Sequence, residues 1–141
     1  MKSAFIAALL AGVAAGQTVV IGAPPPNSTF SPGDQVVVAV NKPNSLTNSR
    51  DVSVAIGLLS CAPAGTCDGI DPTQELGSVL FAGPYAPQAV PGSTTLVQNY
   101  TVTIPSDFPS GPALLSVPHF VLVGALFFPL LDDPSETIFI Q

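Results

Sequence analysis

Proline and glycine punctuate this chain more than any other residues: 16 Pro and 12 Gly among 141 positions. A proline inside a helix costs about 3 kcal/mol and a glycine about 1 kcal/mol relative to alanine. Spread as they are, they exclude a helical bundle, a coiled coil and any long helix. What remains is a set of short extended segments joined by turns. The length suits one domain rather than two. Hydrophobic residues make up 47% of the chain, which excludes a disordered acidic tail. Three basic residues exclude a nucleic-acid partner, since recognition of a phosphate backbone needs several cationic contacts. One His, two Cys and no Trp leave little material for a metal centre or a nucleophilic triad.

The first 16 residues read as a secretory signal peptide. Lys2 supplies the positive charge, Ala4 to Ala15 the apolar stretch, and Ala14-Ala15-Gly16 the small-residue exit. Cleavage after Gly16 leaves Gln17 first; cleavage after Ala15 fits nearly as well. The stretch is too short to span a bilayer, which takes about 20 residues. Residues 17–141 then form a single domain. Lys42 and Arg50 are its only cations against nine carboxylates, a formal charge of −7. Such a charge keeps an apolar protein soluble and monomeric. Export to an oxidising compartment pairs Cys61 with Cys67. The flanking pattern of strand and turn, rather than a C-x-x-C opening a helix, makes them a structural staple and not a redox pair. Two glycosylation sequons follow the same logic, Asn27-Ser28-Thr29 and Asn99-Tyr100-Thr101.

Seven segments carry the period-two, β-branched signature of strands. They are Thr18 to Gly22, Gln35 to Val40, Val52 to Leu59, Leu76 to Phe81, Thr94 to Ile104, Ala113 to Val123, and Ile138 to Ile140. In the third, Val52, Val54, Ile56 and Leu58 share one face. In the fifth, Tyr100, Val102 and Ile104 face one way and Asn99, Thr101 and Thr103 the other. Ser31-Pro32-Gly33-Asp34 and Pro91-Gly92 place Pro and Gly as a type II turn requires. The expectation is an all-β, immunoglobulin-like β-sandwich of about seven strands. Ala113 to Leu131 lacks an ionised side chain over nearly a membrane span. Pro118, Gly124 and Pro129 break it instead into a central strand, a turn at Val123-Gly124-Ala125 and a hydrophobic loop, so no membrane span is expected.

No catalytic constellation emerges, and the chain reads as a non-enzyme with no cofactor and no metal. His119 lies mid-strand among Val117, Phe120 and Val121, where a lone imidazole is usually a core or rim residue. Zinc needs three or four nitrogen and sulfur ligands, and the cysteines are already paired. Asp68 with Asp71, or Asp132 with Asp133, offers calcium too few oxygens. Leu126-Phe127-Phe128-Pro129-Leu130-Leu131 lies outside the strand pattern. Folded back, it is the lid of the sandwich, the commoner fate of such a run. Exposed, Leu126, Phe127, Phe128, Leu130 and Leu131 form a partner-binding patch.

The succession Gly57-Leu58-Leu59-Ser60-Cys61, Cys67-Asp68-Gly69, Leu76 to Tyr85, Tyr100 to Pro105, Phe108-Pro109-Ser110-Gly111 and His119 to Ala125 resembles the necrosis-inducing secreted protein family of fungal effectors. The resemblance covers essentially the whole mature chain. It implies a secreted, non-enzymatic effector, placed in the host apoplast or host cell. Such an effector binds plant receptor-associated kinases, suppresses pattern-triggered immunity and can provoke cell death. It brings no catalytic residues. The alternative is a fungal cell-wall or cell-surface immunoglobulin-like module, which shares the strand, Pro–Gly and corner pattern.

Overall fold

The computed structural model describes residues 19–45 and 47–141. The expected signal peptide, residues 1–16, lies outside them. Strand β1 is Val20–Ala23, β2 Thr29–Phe30, β3 Gln35–Lys42, β4 Ser49–Ser60, β5 Ser78–Pro84 and β6 Gln88–Ala89. They are followed by β7 Leu96–Thr103, β8 Gly111–Ser116, β9 His119–Val123, β10 Phe128–Asp132 and β11 Ser135–Ile140. Two sheets result. The smaller has the order β1-β3-β7-β6. In the larger, β4 pairs with β5 along one edge and with β8 and β9 along the other. Beyond β8 and β9 lie β11 and β10, and β2 joins β11 in parallel. The described residues therefore form an all-β sandwich, with no helix among them.

Eleven strands replace the expected seven for reasons visible in the chain. Two of them, β2 and β6, are two-residue pairings that no periodicity could signal. The expected single strand Ala113 to Val123 is divided at Val117-Pro118. Proline has no N–H to give the ladder, so pairing lapses there while the register continues. Gly57 faces Ser116 and Val54 faces His119 without a shift between them. Strands β10 and β11 continue each other in the same way, facing β9 and β8. The expected hydrophobic loop after Val123 is thus corrected: it is a tight turn, Gly124 to Phe127, followed by β10. Pro129 is tolerated in β10 because that strand is an edge.

The core follows the alternation. Val36, Val38 and Val40 of β3, Tyr100 and Val102 of β7, Val54, Ile56 and Leu58 of β4, Leu115 of β8 and Ile138 and Ile140 of β11 meet between the sheets. Two tyrosines tie the layers reciprocally. Tyr85, just past β5, donates to the Val40 carbonyl at 3.0 Å. Tyr100 of β7 donates to the Pro84 carbonyl at 3.0 Å. Burial pushes the Tyr100 phenol up to about 12 and the Tyr85 phenol further in the same direction, so both stay neutral donors.

Strand β8 is apolar on both faces because both are covered. Ala113 and Leu115 enter the sandwich, and Leu114 turns outward beneath the loop closed by Cys61 and Cys67. Those two cysteines are bonded, with Cα atoms 5.2 Å apart.

One expected face is wrong. Val52 does not continue Val54, Ile56 and Leu58 inward; it is exposed. A β-bulge between Asp51 and Ser53 shifts the register against β9. The extra residue reverses the alternation, sends Val52 out and turns Asp51 in.

Candidate functional site

The bulge places Asp51 where period-two alternation had already aimed two other polar side chains. Lys42 follows Val36, Val38 and Val40 on the inward face of β3. His119 precedes Val121 and Val123 on the inward face of β9 and is fully buried. The Lys42 ammonium donates to Asp51 Oδ2 and to Ser49 Oγ, each at 2.8 Å. His119 Nε2 lies 2.8 Å from Asp51 Oδ1. Its Nδ1 lies 3.6 Å from Asp132 Oδ2, an ion-pair distance beyond hydrogen-bond range. That same Asp132 oxygen accepts the Val19 N–H at 2.8 Å. The edge of the His119 ring stands against Tyr85, centroids 5.3 Å apart.

Burial disfavours the imidazolium, but Asp132 and Asp51 outweigh it, and the His119 pKa is raised above 6.5. For Asp51, burial acts upward and the bonds from His119 and Lys42 prevail, so its pKa falls below 3.8. Two carboxylates face one ammonium and one imidazole. Both ring nitrogens of His119 face carboxylates, and the imidazole is sealed from solvent. Among the described residues, no group of three or more His, Cys, Asp or Glu is placed to hold a metal ion. Chemically the network is a strut: it joins β3, β4, β9, β10 and the backbone just before β1.

Above the strut, the β9–β10 hairpin leaves the sandwich. Gly124 takes φ 78° and Phe127 takes φ 55°, and the turn closes with Phe127 N–H donating to Gly124 O at 3.2 Å. Gly124 N–H donates to Asn48 O at 2.9 Å. Leu126 is 93% exposed, Phe127 50%, Phe128 53% and Leu131 65%. Leu130, opposite Val121, is half-buried on the inner face. Leu131 pairs with Phe120 and Pro129 with Leu122, all on the outer face. The Arg50 guanidinium sits over the Phe127 ring, 5.3 Å from its centroid. Leu126, Phe127, Phe128 and Leu131 are exposed, so the run is not a core lid, and Leu130 alone of the five turns inward.

The opposite pole is different. A cleft of about 430 Å³ is lined by Ser60, Glu75, Ser78, Asp107 and Phe108 among others. Asp71 accepts bonds from Thr73 at 2.7 and 3.0 Å, a local turn rather than a calcium loop. Asp132 faces His119, and Asp133 does not join it there. The sequon residues are both on the surface. Asn99 points away from buried Tyr100 and Val102, and Asn27 lies between β1 and β2 with φ 67°. The residues that sequence reasoning missed are Lys42, Asp51, Asp132 and Arg50. For Lys42 the signal was there, because the Val36-Val38-Val40 period lands on it.

These features define a class: a small disulfide-stapled β-sandwich, braced at one end by buried ion pairs, with an apolar hairpin held out into solvent. The chain belongs to the Nis1 family, a family of fungal effectors, whose sequence profile matches residues 13–138. No curated protein matches it.

Proposed function

We propose that this protein is a secreted fungal effector that acts without catalysis, by docking at the surface of plant host cells. Its protein partners are receptor-associated kinases, and the outcome is suppressed pattern-triggered immunity, with cell death in some hosts. Family membership supports the effector reading. The observation that carries the docking reading is the hairpin tip. A soluble domain that leaves Leu126, Phe127, Phe128 and Leu131 in water holds a surface ready to be covered. The most polar assembly, around His119, is sealed inside and serves the fold.

A pull-down tests this. The secreted protein is offered plant receptor-associated kinases beside insoluble glucan and chitin. Capture of a kinase alone supports the effector reading. Retention on glucan or chitin, with no kinase, favours a fungal cell-wall module instead.

A further inference from the structure

What covers the tip follows from its chemistry and from the charge around it. From Ala125 to Leu131 no side chain carries a hydrogen-bond donor or acceptor. Protein interfaces carry about one hydrogen bond per 100–200 Å² and a polar rim. The turn is convex and meets part of its own backbone need: Phe127 N–H bonds Gly124 O, Gly124 N–H bonds Asn48 O, and Phe128 pairs with Val123.

The charges are sorted along the long axis. Arg50, at the base of the tip, is the exposed cation among the described residues, because Lys42 is buried against Asp51. The exposed acids are Asp34, Asp68, Asp71, Glu75 and Asp107. Asp71 lies within electrostatic reach of half-buried Asp133; the other four lie on turns and loops at the far ends of β3, β4 and β8, roughly 30–40 Å from the tip at 3.3 Å per strand residue. That is several Debye lengths at physiological salt, where one is about 8 Å. Asp51 is paired with Lys42, and Asp132 lies against buried His119 and accepts the Val19 N–H. Asp133 and Glu136 are half-buried, further from the turn.

We infer that the hairpin tip seats in the interfacial layer of a phospholipid bilayer. Leu126, Phe127 and Phe128 enter among the acyl chains, and Arg50 meets lipid phosphate at the headgroup level. The acidic pole points away into water. The Arg50 guanidinium lies over the Phe127 ring and stays exposed, where a basic side chain meets a membrane interface. This rests on the reading that the protein docks at a host cell surface and adds that the occupant of the tip is lipid. Protein partners are then met by the flanks of the sandwich.

The chain has no tryptophan, so Leu126→Trp installs a single reporter at the apex. Phosphatidylcholine vesicles, with and without phosphatidylserine, are the probe. The expected result is a blue shift of the introduced tryptophan and co-sedimentation with both vesicles. Phosphatidylserine strengthens binding, and Arg50→Glu removes that gain, about fivefold for one cation. Phe127→Ser with Phe128→Ser abolishes sedimentation while the far-UV spectrum and thermal unfolding stay native. An unshifted emission with no sedimentation overturns the inference, as does vesicle binding that survives the double Ser variant. If vesicles fail while a kinase is captured, and the double variant loses that capture, the tip is a protein contact. The docking reading then stands and the lipid inference falls.

Discussion

His119 is fully buried, with a carboxylate facing each ring nitrogen. Removing its ring leaves Asp51 sharing one cation and Asp132 without its cationic partner, both behind the β9–β10 hairpin. Breaking a buried pair from one side costs about 3–5 kcal/mol. His119→Gln should therefore lower the unfolding free energy by about 3 kcal/mol in urea titrations. The pH response has a definite sign. His119 has its pKa raised above 6.5, so its contribution is complete below that pH and is lost as pH rises through the higher folded value. Burial pushes the Glu136 carboxyl up to about 7, so the fold favours its neutral form and loses stability as it ionises. Asp51 acts oppositely, and its share disappears only once pH falls below 3.8. Thermal melts should peak between about pH 4 and 6 and decline toward pH 8, with a shallower decline in the His119→Gln protein. Of this partnership only Lys42 was readable in the chain, where the Val36-Val38-Val40 period lands on it. Val52 looks like the inward residue of β4, and only the bulge between Asp51 and Ser53 reverses that.

At the scale of elements, the hairpin Gly124 to Phe127 holds a phenylalanine at φ 55°. A left-handed L-residue costs roughly 1–2 kcal/mol, and glycine does not incur that cost. Phe127→Gly gives up the Arg50 contact and the covered half of the ring. Relief of the backbone offsets these losses, so stability in urea unfolding should change by less than about 1 kcal/mol while one of the tip's two rings leaves the docking surface. Near-unchanged stability with lost docking is the mark of a residue kept for what it touches outside the fold. Destabilisation beyond that range by the substitution would make Phe127 a structural residue. The seven long runs themselves were legible. Alternation of β-branched residues marks β3, β4 and β7, a both-face apolar run marks β8 and β9, and the Pro118 interruption leaves the register intact. The hairpin was less legible, because Leu126 to Leu131 has no polar residue to mark which side faces water. An alternation read only from hydrophobicity disappears when both faces are apolar.

The whole molecule has two poles, and the Cys61–Cys67 loop belongs to the acidic one. Its role is local. Both cysteines pack with Leu114, Leu59 and Ile70 on the outer face of β8, separate from the cluster between the sheets. The main cluster contains no cysteine, so the sandwich does not rely on the bridge for its core. With a sequence separation of 6, the closed loop is small, and the loss of unfolded-chain entropy is worth about 2 kcal/mol. Replacing Cys61 and Cys67 together by Ser should leave a folded, two-sheet protein by far-UV spectroscopy, less stable by about 2 kcal/mol in urea. The loop would open over Leu114, and limited proteolysis should cut first between residues 61 and 77. Vesicle binding at the hairpin, at the other end of β4 and β8–β9, should be unchanged. Loss of vesicle binding together with the bridge would mean that the two poles are coupled through the central strands. A double variant that fails to fold would place the disulfide loop within the core that the sandwich needs.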